Sequence, residues 1–181
     1  MTERFRNKYR ITSTRLQNWD YSWNASYFIT ICTKNREHFF GEINNGEMVL
    51  SDIGKFADHF WSKIPDHFPY IILDAFVVMP DHIHGIIIID NPNNWNVKIQ
   101  NTNQNTEVKQ TKGEERFQNQ GKNTISSIIG SYKSVVSKNS RKIETDFGWQ
   151  PRFYDHIIRD EKSFKRIQNY INNNPKNWHN G

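Results

Sequence analysis

The feature that most narrows the fold is a pair of apolar, β-rich runs, residues 70–79 (YIILDAFVVM) and 83–89 (IHGIIII), divided by Pro80-Asp81. Proline gives a sheet no backbone donor, so the break suits a bend or short turn between antiparallel strands. Runs this apolar read as the central strands of a sheet.

The rest of the chain supplies partners for that hairpin. Residues 27–33 (YFITICT) form another β-branched and aromatic run. After KNRE and the pair Phe39-Phe40, GEINNGEMVL reads as a hairpin turning near Asn45-Gly46. From Ser51, a plausible N-cap, the pattern changes to Ile53, Phe56, Ala57, Phe60, Trp61 and Ile64, the spacing of an amphipathic helix that Pro65 ends. Residues 91–123 are rich in Asn, Gln, Lys, Thr and Glu, a composition that cannot offset the entropy of ordering, and are expected to be a flexible insertion. Helical spacing returns from Thr124 with Ile125, Ile128, Ile129, Tyr132, Val135 and Val136, beside Lys133, Lys138, Arg141 and Lys142. Residues 149–159 (WQPRFYDHIIR) read as extended, and residues 161–174 as a third helix carrying Phe164, Ile167, Tyr170 and Ile171, closed by Pro175. At 181 residues this is one domain. Its order of elements suits an α+β fold, with helices packed on one face of an antiparallel sheet.

A net charge of +5 and a pI near 9.3 favour an anionic partner, since Lys and Arg that neutralise phosphates release condensed counterions. One cysteine, Cys32, excludes an internal disulfide and a Cys-rich zinc module. Its apolar surroundings predict a buried thiol. The charged opening MTERFRNKYR is unlike a signal peptide, and no window approaches the length of a membrane span, so no membrane association and a cytoplasmic location are expected.

Two places carry chemistry. His82 and His84 are two apart at the start of a strand, so both imidazoles point to one face and Ile83 to the other. That is a metal half-site, or two hydrogen-bonded histidines at a strand edge. Tyr170 and Asn174, four apart, share one face of the last helix. Spacing alone allows a reactive phenol and an amide ligand there, or a core-flanking aromatic and a helix-terminal asparagine.

Three stretches in this order, VVMPDHIHGIIII (77–89), WQPRFYDHIIRDE (149–161) and YINNNP (170–175), resemble the single-tyrosine HUH transposases, of the REP-associated tyrosine transposase type. The resemblance spans most of the chain outside residues 91–123. It implies a ferredoxin-like antiparallel sheet whose central strand presents His82 and His84 to a divalent cation, Mg²⁺ or Mn²⁺. It further implies Tyr170 as the nucleophile and Asn174 as a metal ligand, where some members carry Gln. The activity implied is a single-stranded DNA endonuclease and strand-transferase, directed by sequence or a hairpin, in a bacterial cytoplasm. The intermediate would be a covalent 5′-phosphotyrosine, and the chain is a possible homodimer, since relatives pair. Asp155 and His156 fall in the second motif and are expected to be structural or to contact DNA.

DNA needs cations for phosphates and flat faces for unstacked bases. Arg4, Arg6, Lys8, Arg10 and Arg15, with Phe5, Tyr9 and Trp19, are the first candidates, followed by Lys133, Arg152 and Arg159. Three other readings compete. A non-catalytic module could stack single-stranded RNA on exposed aromatics. A zinc hydrolase would join His82 and His84 to His59, His67 or His156, although the chain has no H-E-x-x-H helix. A decayed transposase is the third, against which the intact His82, His84 and Tyr170 argue.

Overall fold

The computed structural model describes residues 19–92 and 123–178. Arg4, Arg6, Lys8, Arg10, Arg15, Phe5, Tyr9 and nearly all of the polar stretch 91–123 lie outside the described residues.

Strand β1 (Ala25–Cys32) leads to the hairpin β2 (Gly41–Asn44) and β3 (Glu47–Leu50), and then to helix α1 (Asp52–Ser62) and the single turn α2 (Ile64–His67). Strands β4 (Ile71–Val78) and β5 (His82–Ile89), helix α3 (Ile125–Ser140), strand β6 (Tyr154–Ile158) and helix α4 (Glu161–Asn173) complete the domain. The local signals act as their chemistry dictates. The β2–β3 turn is Asn45-Gly46, both at positive φ (52° and 77°), which matches the twist of a two-residue hairpin. Ser51 caps α1 by accepting from the Gly54 N–H, and Thr124 caps α3 by accepting from the Ser127 N–H.

The four long strands make one antiparallel sheet in the order β4-β5-β1-β6, with the 70–89 hairpin as an inner and an edge strand. With α1 and α3 as the crossovers this is the ferredoxin-like arrangement. Alternation assigns the faces. Tyr27, Ile29, Ile31, Ile83, Ile87 and Ile89 point to one side and are buried there with Ile53, Ala57 and Trp61 of α1 and Ile125, Ile128, Tyr132 and Val136 of α3. In β4 the register shifts between Leu73 and Phe76, so Ile71, Leu73, Phe76 and Val78 all reach this core. Gly85 lets α1 lie close: a Cβ there would fall 2.3 Å from the indole Cζ2 of Trp61.

The helices were expected on one face, and α1 and α3 are. Helix α4 lies across the other face, where Ile167 and Ile171 pack on Ile86 and Ile158, beside Phe28, Ala75, Val77 and Ile88. The reason is in β5: its Ile86 and Ile88 alternate with the core residues and would otherwise meet water, so the sheet needs cover on both sides. Cys32 is half-buried and accepts a hydrogen bond from Arg36 Nη1 at 3.0 Å, a more open thiol than its apolar run predicts. Among the described residues no helix is long and apolar enough to cross a membrane.

Candidate active site

The α4 face of the sheet carries the polar row. His82 and His84 open β5, directly after the Pro80-Asp81 turn, and both are buried despite being polar. Such groups need partners. Asp81 Oδ1 lies 2.5 Å from His82 Nδ1, and Thr30 Oγ1 of β1 lies 2.8 Å from His84 Nδ1. Asp81 is itself paired with Arg36 Nε at 3.3 Å. Burial alone would raise the Asp81 carboxyl, but His82 and Arg36 outweigh it and hold the group below its ordinary value.

These contacts hold both rings in place. The carboxylate takes the Nδ1–H of His82, which orients the ring so that its Nε2 points into the site. That nitrogen faces His84 Nε2 at 3.1 Å. Thr30 can donate to His84 Nδ1 or accept from it, so His84 can present either a proton or a lone pair on Nε2. Burial, then the neighbouring His82 and Arg36, press the His84 pKa down to about 3, so the ring is neutral at ordinary pH. Two imidazoles with both Nδ1 atoms held and both Nε2 atoms converging are a donor pair that a divalent cation can take from a protein.

Tyr170 reaches this point from α4. Asp160 starts the helix by accepting from the Ser163 N–H at 2.8 Å, and Ile167 and Ile171 fix its rotation on the sheet. Tyr170 is consequently carried to the helix flank, half exposed, with its hydroxyl 3.3 Å from His84 Nε2 in the same chain. Phe28 flanks both groups, its ring centroid 5.3 Å from His84 and 6.1 Å from Tyr170. Trp178 closes the opposite side, 5.8 Å from the His82 ring. Tyr170 thus packs its ring on Phe28 at the border of the smaller core cluster and turns its hydroxyl to the histidines.

Asn174 is the C-cap of α4, and its side chain makes no hydrogen bond to His82 or His84 among the described residues. No third His, Cys, Asp or Glu joins the pair among them either, so His59, His67 and His156 do not complete a zinc site there. Arg152 and Arg159 are exposed, and Arg159 lines a cleft of about 530 Å³ beside β6 and α4. Lys133 is committed elsewhere: its ammonium donates to the carbonyls of Gln150 (2.9 Å) and Arg152 (3.0 Å) and lies over Trp149. Burial lowers its pKa, as expected for a structural lysine that holds the loop before β6. Trp19 is half-buried, donating to the Tyr27 hydroxyl, so its ring serves the core.

Sequence reasoning missed Thr30, Asp81, Arg36 and Phe28. Asp81 had a signal, since a carboxylate next to a histidine is the usual partner that orients a ligating ring. Thr30 and Phe28 are placed by the β1–β5 register, which pairs Thr30 with His84 and Phe28 with Ile86.

No family model matches the sequence. A protein of Haemophilus influenzae without an assigned function is 41% identical over 167 residues, 92% of this chain and 88% of that one. A second Haemophilus influenzae protein, described as a “putative REP-associated tyrosine transposase”, is 25% identical over 158 residues, 86% of this chain and 73% of the relative. Among solved structures, a REP-associated tyrosine transposase bound to a REP hairpin superposes with a TM-score of 0.58 at 19% identity, covering 92% of this chain and 73% of that one, which shows a shared fold. These relationships show that the chain belongs to the family of the first Haemophilus protein and shares its fold with a REP-associated tyrosine transposase.

Proposed function

We propose that this protein is a DNA transposase that nicks and rejoins single-stranded or hairpin DNA through Tyr170. The observation that carries the reading is the Tyr170 hydroxyl 3.3 Å from His84 Nε2, beside two histidines whose other nitrogens are already held. In the reaction the phenol oxygen forms a bond to phosphorus and the bond to the 3′ oxygen breaks. The phenol proton is lost, the leaving oxygen gains one, and the product is a 5′-phosphotyrosine with a free 3′-hydroxyl. The phosphoester bond is conserved, so a 3′-hydroxyl can later attack it and rejoin DNA without a nucleotide cofactor.

The chain's own groups act by position. Helix α4 holds the phenol at the sheet surface, and the buried imidazoles lie beside Phe28 and Trp178, in surroundings where charges act more strongly on one another than they do in water. His82 and His84 would hold Mg²⁺ or Mn²⁺ through Nε2, with Asn174, one turn beyond Tyr170 at the end of α4, as a further candidate ligand. When bound, such an ion supplies positive charge to the phosphate and lowers the cost of ionising a phenol whose ordinary pKa is about 10. Tyr170 and the histidines meet within one chain, so this contact requires no exchange of helices between subunits. The hairpin-bound structural relative supports a hairpin substrate.

Cleavage of end-labelled hairpin oligonucleotides with Mg²⁺ or Mn²⁺ tests the reading. Site-specific nicking that disappears with EDTA, with His82→Ala and with His84→Ala is expected. Nicking that survives loss of both histidines would overturn it.

A further inference from the structure

The sheet register sets a second aromatic beside the site. Thr30 pairs with His84 on one side and with Tyr154 of β6 on the other, so Val77, His84, Thr30 and Tyr154 form one row across all four strands. Their side chains point to the α4 face. Tyr154 is 51% exposed on an edge strand, so one face of its ring is open to solvent beside the site. Its ring meets Phe28 edge-on at 6.3 Å, the same Phe28 that touches Tyr170 and His84.

Two hollows meet at this ring. One, of about 230 Å³, is formed by Thr30, Cys32 and the loop 150–153 and has room for a single base. The other, of about 530 Å³, contains His156, Arg159 and Arg166 with Tyr154 at its border. Of its two carboxylates, Asp160 caps α4 and lies within electrostatic reach of Arg166, and Asp155 is half-buried; Arg159 and Arg166 are both exposed. The loop wall of the smaller hollow is held from beneath by Lys133, and Arg152 within it adopts a left-handed φ of 71°. This is a fixed wall.

We propose, resting on the reading of Tyr170 as nucleophile, that Tyr154 is the stacking platform for the unpaired nucleotide adjoining the scissile phosphate. Its base enters the hollow at loop 150–153, and the strand leaves along Arg159 and Arg166. Stacking tolerates any base, and the hollow has room for a purine or a pyrimidine, so this subsite holds the nucleotide without reading its sequence.

The test places 2-aminopurine at successive positions around the nick in a hairpin oligonucleotide, bound to the Tyr170→Phe protein so that chemistry does not interfere. One position adjoining the scissile phosphate should be quenched. Adding Tyr154→Phe should keep the quench, and adding Tyr154→Ala should abolish it and weaken binding by about 10- to 100-fold. Tyr154 is exposed, so melting temperature should hold in both variants. Equal quenching and affinity with Tyr154→Ala would overturn the subsite and leave the nuclease reading standing. Loss of nicking in the histidine and Tyr170 variants is scored separately, on wild-type Tyr154.

Discussion

Replacing Gly85 by alanine tests the packing that positions His84. A Cβ at residue 85 would sit 2.3 Å from Trp61 Cζ2, 2.9 Å from Cη2 and 3.0 Å from Cε2. Carbon atoms pack at about 3.5–4.0 Å, so relief requires the indole to move by more than an ångström. It has nowhere to go: Trp61 is 2% exposed, stacked on Phe76 at 4.6 Å and met edge-on by Tyr132 at 5.3 Å. Overpacking of this kind costs about 1–3 kcal/mol, and the clash with three ring atoms puts Gly85→Ala near the top of that range. For a domain of this size about 3 kcal/mol lowers the melting temperature by about 6–12 °C. Calorimetry measures the fall, with Gly130→Ala as the control of opposite sign. Nothing lies within 4 Å of a Cβ at Gly130 in the middle of α3, so alanine there should stabilise by about 0.5–1 kcal/mol. A Gly85→Ala/Trp61→Leu double variant should lose less than the sum of its singles, because the clash is shared. If Gly85→Ala melts with the parent, α1 does not lie on β5 at this distance and the reasoning fails.

Other consequences are equally direct. Thr30→Val removes the partner of His84 Nδ1, 2.8 Å away, and should weaken Mn²⁺ binding by about 10- to 100-fold in titration calorimetry, with a stability loss of only about 1 kcal/mol; unchanged affinity would contradict the role given to Thr30. Burial pushes the Tyr27 phenol up to about 12. Its folded pKa lies above the unfolded value of about 10, so the contribution is intact below that pH and is lost as pH rises toward about 12. Fully buried Tyr132 acts in the same direction. Melting temperature should fall across that window, less steeply in Tyr27→Phe, and an equal slope would refute the assignment.

The elements were legible in the sequence because each carries its own chemistry: Pro80 between two apolar runs, Asn45-Gly46 at a hairpin, Ser51 and Thr124 at helix starts. The pairing of His82 with His84 followed from the period of a strand, and the place of Tyr170 from the resemblance. Long-range placement was not legible in the same way. That α4 covers the opposite face from α1 and α3 depends on Ile86 and Ile88 needing cover, which a continuous isoleucine run conceals. Thr30 becomes a partner of His84 only through a register set by β1 and β5 together. Lys133 looked like a free surface cation because nothing local announces the carbonyls of Gln150 and Arg152, which arrive from the loop before β6.

The most direct measurement is peptide mapping of a covalent protein–DNA adduct. The protein is incubated with a hairpin oligonucleotide and Mn²⁺, denatured and digested, and the nucleotide-bearing peptide is sequenced by mass spectrometry. The account requires the nucleotide to be on Tyr170, joined through a 5′ phosphate, and the adduct to vanish in Tyr170→Phe. An adduct on Tyr154 or another residue, or cleavage without any adduct, would contradict it.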